Sequence, residues 1–335
     1  MRRGLVPITC VLAVLAVAPV APAANWAQPQ IKVVVANGLM GPSVANFRPR
    51  ANVTRGELGA AIAAFTGKPQ VVVDPAREVS MARLDATLVK ALGLRPAART
   101  FQQKVAAAGL KPPARLGNEV VARLIWLRLN HPMEADSLER RPQDPATRAE
   151  TAYSLAQALN VSQWEKDNVV ALADSFSPPV YGDWPKRVLQ RAVHFIGYPY
   201  VWGGMWEHRQ TLFGVTDRGG FDCSGFVWRV YKLQPYTGGG SLPSVIQGRT
   251  TYQMSGEVPK TKRIPLGHVR PADVVFFGAD GSRSSPSEVD HTGIALGNGW
   301  MIHSSSQGVA FVPLTGWYHD RFAWARRPLR EAGLL

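Results

Sequence analysis

Three prolines within eleven residues, in SFSPPVYGDWP from Ser175 to Pro185, constrain this chain more than any other feature. Proline has no amide donor and a locked φ, so neither a helix interior nor a central strand runs through such a stretch. The texture of the sequence changes across it. Before it, Ala, Arg and Leu dominate short runs cut by Pro and Gly, which read as short helices. After it, Trp, Gly, Tyr and Val increase and strand-like runs appear. A length of 335 residues suggests about two domains. An apolar content of 46% is enough for ordinary globular cores. The expected units are 25–175, mainly helical, and 181–335.

The chain opens MRRGLVPITCVLAVLAVAPVAPAANWAQ. Arg2 and Arg3 precede an apolar core from Leu5 to Val17, and Ala21-Pro22-Ala23 has the small-x-small form of a cleavage site. Residues 1–24 therefore read as a secretory signal peptide. A membrane anchor is the alternative, but a span needs about 20 uninterrupted apolar residues, and Pro19 and Pro22 break this one. Pro7-Ile8-Thr9 ahead of Cys10 does not resemble a lipoprotein cleavage box. A secreted, cell-envelope location is expected. Cleavage removes one of the two cysteines, leaving Cys223 with no internal disulfide partner in an oxidising compartment. A leftover cysteine there points to a reactive thiol or an intermolecular bridge. A buried inert cysteine is the bland alternative. The formal charge of +14 calls for an acidic partner. Nucleic acid fits an exported chain poorly; an anionic wall or membrane surface fits better, although Arg-rich composition alone gives the same sum.

The first half echoes itself. NFRPRANVTRGELGAAIAAFTG from Asn46, PAREVSMARLDATLVKALGL from Pro75 and QDPATRAETAYSLAQALN from Gln143 each put Thr or Ser before a helical run. Thr54 precedes Glu57, and Thr147 precedes Glu150, at capping-box spacing. Leu58, Ile62 and Phe65 then follow at helical period, as do Tyr153, Leu155 and Leu159 less cleanly. The string from Phe47 to Glu57 and the run Ala146 to Glu150 resemble S-layer homology modules, helical units that hold exported bacterial proteins on wall polymers. The middle copy departs, with Met81-Ala82-Arg83-Leu84 where Thr-Arg-x-Glu is expected. The resemblance implies an anionic wall polymer as a partner; ordinary capped helices are the alternative.

In GGFDCSGFVWRVY, Gly219–Tyr231, apolar residues Phe226, Val227, Val230 and Tyr231 mark one helix face. Cys223 then lies in the first turn, where amides and the helix dipole favour a thiolate. A thiolate nucleophile needs a base. The histidines are His131, His194, His208, His268, His291, His303 and His319. HTGIAL and WMIHSS are strand-like, with Gly297-Asn298-Gly299 as a turn between them. The even separation of His291 and His303 puts both, in a hairpin without a bulge, on one face as near-opposite neighbours. One imidazole can take the thiol proton and the other can orient it. Zinc is a competing use of one Cys and two His, with Asp222 or Asp290 as further ligands, but the spacing matches no zinc motif.

Five ordered motifs follow residue 186. They are Tyr200-x-Trp-Gly-Gly, Phe-Asp-Cys223-Ser-Gly, Pro271-x-Asp-x-x-x-Phe, His291-x-Gly-Ile and Met-Ile-His303. Residues 186–328 thereby resemble the NlpC-type cysteine peptidases of bacterial cell walls. The resemblance implies an α+β, papain-like catalytic domain, with helices packed on an antiparallel sheet, behind the helical S-layer-homology-like domain. It implies Cys223 as nucleophile, His291 as general base, His303 as orienting residue and Tyr200 beside the oxyanion. Asp222 and Ser224 match cleft-lining positions, with helix capping as the alternative; Trp202, Gly203 and Gly204 read as structural. Met205–Arg218 and Ala279–Glu288 are departures that can reshape the cleft. The implied activity is hydrolysis of peptidoglycan stem peptides, most often between D-glutamate and diaminopimelate, by a monomer needing no cofactor or metal. Amidase, acyl transferase and non-catalytic wall binding remain open.

Overall fold

The structure, a computed structural model, describes residues 25–335. The expected signal peptide over 1–24 lies outside the described residues. Seven helices make up the first half: α1 Gln28–Ala36, α2 Arg55–Thr66, α3 Met81–Ala91, α4 Arg95–Ala107, α5 Leu116–Leu124, α6 Arg148–Asn160 and α7 Gln163–Ser175. Helices α2, α3 and α6 are the three echoes, and each starts where its cap predicts. Thr54 and Glu57 form a reciprocal capping box, and Ser80 accepts from the Arg83 amide. Thr147 accepts from the Glu150 amide, but the return bond is missing. The Glu150 carboxylate turns inward instead, 3.4 Å from His131 Nε2.

The residues just before the three caps bond to one another in a closed ring. Val53 N–H donates to the Ala146 carbonyl at 2.9 Å, Ala146 N–H to Val79 at 2.8 Å, and Val79 N–H to Val53 at 3.0 Å. The loose repeat thus becomes a three-way junction in which each copy donates to one neighbour and accepts from the other. The period of the first copy holds, with Leu58 and Ile62 buried and Phe65 half-buried. In the third, Leu155 is buried and Leu159 is exposed.

The second half opens with α8, Asp183–His194, and four short strands: β1 Met205–Trp206, β2 Gln210–Leu212, β3 Val215–Asp217 and β4 Gly220–Phe221. Helix α9, Cys223–Tyr231, follows. Then come β5 Val274–Gly278, β6 Val289–Gly297, β7 Trp300–Ser305, β8 Gly308–Pro313 and β9 Phe322–Arg326. The last five form one antiparallel sheet in the order β8-β7-β6-β5-β9. The Phe226, Val227, Val230 and Tyr231 face of α9 is buried, and α9 lies against β6 and β7. This is the α+β arrangement expected, with helices on an antiparallel sheet behind a helical half.

The apolar core runs without a break past the proline-rich junction. Phe176, inside that junction, is fully buried; its ring lies 5.3 Å from Phe101 of α4, 5.0 Å from Trp300 of β7 and 5.3 Å from Phe311 of β8. Beside this contact lies a buried ionic cluster. Arg128 Nε is 3.6 Å from Asp85 Oδ2, and Arg123 Nη2 is 3.4 Å from Glu119. Arg123 also donates to the main-chain oxygens of Gly197 and Gln307 in the second half. Burial pushes the carboxyls of Asp85, Glu139 and Glu150 up, Asp85 to about 8.

A folded Asp85 that keeps its proton to about pH 8 binds a proton that the unfolded chain has released from about pH 4 upward. Stability contributed by this group is therefore present in acid and lost as pH rises through that window, by up to about 1.4 kcal/mol per pH unit. The depressed pKa values of His131 and His291 act in the opposite direction below about pH 6.5, so a differential test isolates Asp85. Between pH 5 and pH 8, wild type should lose more stability to urea than Asp85→Asn, whose amide mimics the protonated acid. Equal losses in both proteins would contradict a buried, protonated Asp85.

Candidate active site

Asp222 caps α9, its carboxylate accepting from the Gly225 amide, and so sets Cys223 as the first residue of the helix. The helix end comes so close to the preceding loop that a Cβ on Gly225 would lie 1.8 Å from the Gly204 carbonyl oxygen. The glycine after Cys-Ser is therefore a steric requirement. The Asp222 N–H donates to the same oxygen at 3.0 Å. Arg249, in the loop before the short helix Thr251–Gly256, closes the arrangement. Its guanidinium donates to Asp222 at 3.1 and 3.2 Å, to Ser224 Oγ at 2.7 Å, and to the carbonyls of Gly203 and Gly204 at 2.8 and 3.2 Å.

Helix α9, which Cys223 begins, packs on β6, the strand that carries His291, and on β7, which carries His303. The β6–β7 register pairs Ile294 with Ile302 and Ala295 with Met301, with the irregularity confined to the turn side of Ala295. Continued by one residue, it sets His303 across from Gly293 and diagonal to His291. The glycine leaves room, since a Cβ there would be 3.1 Å from the His303 Cβ and 2.9 Å from Met301 Sδ. His291 Nε2 and His303 Nδ1 are 2.7 Å apart, with the rings at 87°. The expected shared face holds, as a diagonal pair.

That hydrogen bond has consequences for the tautomers. If His291 is to receive a proton on Nδ1, its Nε2 must carry hydrogen and donate to His303 Nδ1. His303 then holds its own hydrogen on Nε2, an atom that is buried without a partner. Tyr318 packs on both rings, 6.1 Å from His291 and 5.2 Å from His303.

Burial overrides the helix end in setting the charges. It pushes the Cys223 thiol up to about 12, with Asp222 adding to the rise and the Ser224 and Thr292 amides and Arg249 opposing it. Burial also pushes His291 down to about 4 and His303 well below the usual imidazole value. These shifts oppose the thiolate that a helix N-terminus favours, because desolvation disfavours every charged form.

Tyr200 bridges to Phe221 in parallel pairing. Burial raises its hydroxyl pKa, with further rises from Cys223, Asp222 and Asp136. The start of α9, with Asp222, Cys223 and Ser224, thus belongs to a helix packed on the two strands that carry His291 and His303, and Tyr200 pairs with Phe221 just before it. Asp222 acts as the helix cap, and Ser224 Oγ donates to it at 3.0 Å. Sequence reasoning missed Arg249, Tyr318, Asn130 and Asp136. The Thr250–Gln253 capping box flags a helix start beside Arg249, but nothing local links that arginine to Asp222. Of the two departures, Met205–Arg218 contains β1 and the β2–β3 hairpin, whose tip residue Phe213 is 81% exposed. Ala279–Glu288 forms two 3-10 turns leading into β6. Among the described residues, no group of three or more His, Cys, Asp or Glu side chains is arranged to hold a metal ion.

Comparison with known proteins agrees with both resemblances. Residues 197–327 match the NlpC/P60 family, and residues 20–58 match the S-layer homology domain. The chain is 30% identical over 129 residues to a gamma-D-glutamyl-L-lysine dipeptidyl-peptidase of Bacillus subtilis (strain 168), covering 38% of this chain and 34% of that one. It is 32% identical over 152 residues to a bifunctional muramidase/DL-endopeptidase of the same organism, covering 44% and 38%. The chain thus spans little more than a third of the length of these curated relatives. A crystal structure of an NlpC/P60 family protein from Bacillus cereus aligns at 26% identity over 45% of this chain and 42% of the other, with a TM-score of 0.33.

The raised Cys223 thiol pKa has a direct readout. Alkylation of Cys223 by iodoacetamide should be slower at pH 7 than that of a free cysteine, and should climb through pH 9 without a plateau. A plateau below pH 7 would show a thiolate–imidazolium pair already formed at rest.

Proposed function

We propose that this chain is an exported peptidoglycan hydrolase that cuts stem-peptide amide bonds with Cys223 as nucleophile. The observation that carries the reading is the His291–His303 hydrogen bond across β6 and β7, the strands on which the helix starting at Cys223 packs. Cys223 Sγ attacks the amide carbonyl carbon as its proton passes to His291. Thiolate and imidazolium arise together, so the site gains no net charge at that step. The oxyanion is met by the Cys223 amide and the Tyr200 hydroxyl. His291 then gives its proton to the leaving amine, and the C–N bond breaks to leave a thioester. Water, deprotonated by His291, attacks the thioester and frees the acid and the thiol. His303 holds the His291 ring in the required tautomer. The bond between D-glutamate and diaminopimelate is the proposed target, supported by the glutamyl dipeptidyl-peptidase and DL-endopeptidase names of the relatives.

The proposed organisation is a cleaved leader over 1–24, a wall-holding unit over 25–175 and a catalytic unit over 181–335. Besides the S-layer homology match, the wall-holding role is supported by a groove beside α2 and α3. Arg55, Lys68, Arg83, Lys90, Arg95 and Lys166 line it, and no carboxylate does. Such a groove suits an anionic polymer.

Mass analysis of muropeptides after digestion tests the activity and separates endopeptidase from amidase. Cys223→Ala and His291→Ala should both abolish turnover, because no other group there can both accept and return the proton. His303→Ala should be intermediate and His303→Asn mildest, since an amide can make the orienting bond; folding is checked by circular dichroism. Full activity in a folded His303→Ala protein would remove the orienting role.

Wall binding is tested with the full-length Cys223→Ala protein, to avoid digestion. It should sediment with purified walls at low salt and be released at high salt, and Arg83→Glu with Lys90→Glu should weaken it severalfold. Unchanged sedimentation of the double variant would move the polymer site elsewhere.

A further inference from the structure

The chain between α5 and α6 leaves the helical half and runs against the Tyr200–Trp202 segment and the end of β7. It includes Asn130 and the 3-10 turn Met133–Leu138. Opposite it lies the irregular segment Tyr200–Trp202, whose amides point alternately to two sides. The Val201 N–H donates inward to the Phe221 carbonyl at 3.2 Å. The Tyr200 N–H donates to Asn130 Oδ1 at 3.2 Å, and the Trp202 N–H donates to Asp136 Oδ2 at 3.1 Å. Side chains of the helical half thus take the place of a neighbouring strand.

Asn130 does more than accept. Its Nδ2 donates to the Ser305 carbonyl at 3.1 Å and to the Ser306 carbonyl, at the end of the strand that carries His303. One amide therefore ties the Tyr200 main chain to β7. Ser304 Oγ closes the same circuit from within, donating to the Phe221 carbonyl at 2.7 Å, two residues before Cys223. The segment bearing Asn130 is itself held from inside. His131 sits between Glu139 at 3.3 Å and Glu150 at 3.4 Å, and Arg123 reaches Gly197 and Gln307 on either side.

We propose that Asn130 and Asp136, side chains of the helical half, are positioning residues for catalysis: they hold the Tyr200–Trp202 segment so that the Tyr200 hydroxyl stands at the oxyanion beside Cys223. The inference rests on the thiol mechanism above. The oxyanion exists only as the carbonyl is attacked, so a loosened Tyr200 weakens the transition state and leaves substrate binding nearly intact. Small misplacements of such a donor are costly, up to about a hundredfold for 1 Å.

The test uses the full-length protein and its Asn130→Ala, Asp136→Ala and Asp136→Asn variants, alone and combined with Tyr200→Phe. Asn130→Ala and Asp136→Ala should each lower kcat about tenfold or more, with KM within about twofold. Asp136→Asn keeps an acceptor for the Trp202 amide and should keep most of the activity. In the Tyr200→Phe background, the cost of Asn130→Ala should largely vanish, because both changes remove the same contribution. Hydrogen exchange supplies a readout that needs no substrate: the Tyr200 and Trp202 amides should exchange faster in the corresponding Ala variants, with Val201 unchanged. Faster exchange with unchanged kcat would overturn the proposal, as would an equal cost of Asn130→Ala with and without the Tyr200 hydroxyl. If wild type cuts no muropeptide, the functional reading fails by itself; unchanged exchange at Tyr200 and Trp202 then separately refutes the positioning. Should an Ala variant fail to fold, Asp136→Asn and Asn130→Asp carry the comparison. Asn130→Asp keeps the acceptor for Tyr200 but sets a charge against the Ser305 and Ser306 carbonyls, and it should fall between wild type and Asn130→Ala.

Discussion

The start of α9 is the constraint on which the rest of the site depends. A helix end leaves amides without partners, and here one carboxylate, one guanidinium and two loop carbonyls settle where that end lies. Asp222 caps it, Arg249 pins Asp222 and Ser224 to the Gly203 and Gly204 carbonyls, and Gly225 lets the helix touch that loop. Cys223 has no freedom left once these bonds form. The sheet then packs β6, with His291, against α9 and sets His303 within a hydrogen bond of His291.

Packing that tightly has an electrostatic consequence. Removing water from a thiol and two imidazoles disfavours every charged form. Burial accordingly pushes Cys223 up to about 12 and His291 down to about 4. In the proposed mechanism a proton moves inside the pair during attack, and preorganised donors meet the charge as it appears.

The two halves are not independent supports. Phe176 sits within a core shared by α4, β7 and β8, and the Arg123 guanidinium is buried across the same contact. An arginine that has lost its water needs acceptors, and main-chain oxygens of the other half provide them. The ring of hydrogen bonds joining Val53, Ala146 and Val79 fixes the three capped helices relative to each other. That junction carries the connection between α5 and α6 to the cleft.

Local rules were enough for the elements that carry the chemistry. The Asp222 cap, the apolar face after Cys223, the Gly297–Gly299 turn and the Thr54–Glu57 box are each set by residues within a few positions of one another, so the sequence by itself determined them. The even spacing of His291 and His303 put them on a shared face for an unbulged register, and the β6–β7 irregularity lies on the turn side of Ala295, where it leaves that face unchanged. Tertiary structure decided what depends on groups far apart in the chain: Arg249 against Asp222, Asn130 against Tyr200, and Glu150 turned from its cap toward His131. It decided the ionisation of Cys223 as well. A helix N-terminus is legible from spacing, whereas desolvation is set by everything packed around the sulfur, and here the second effect is the larger.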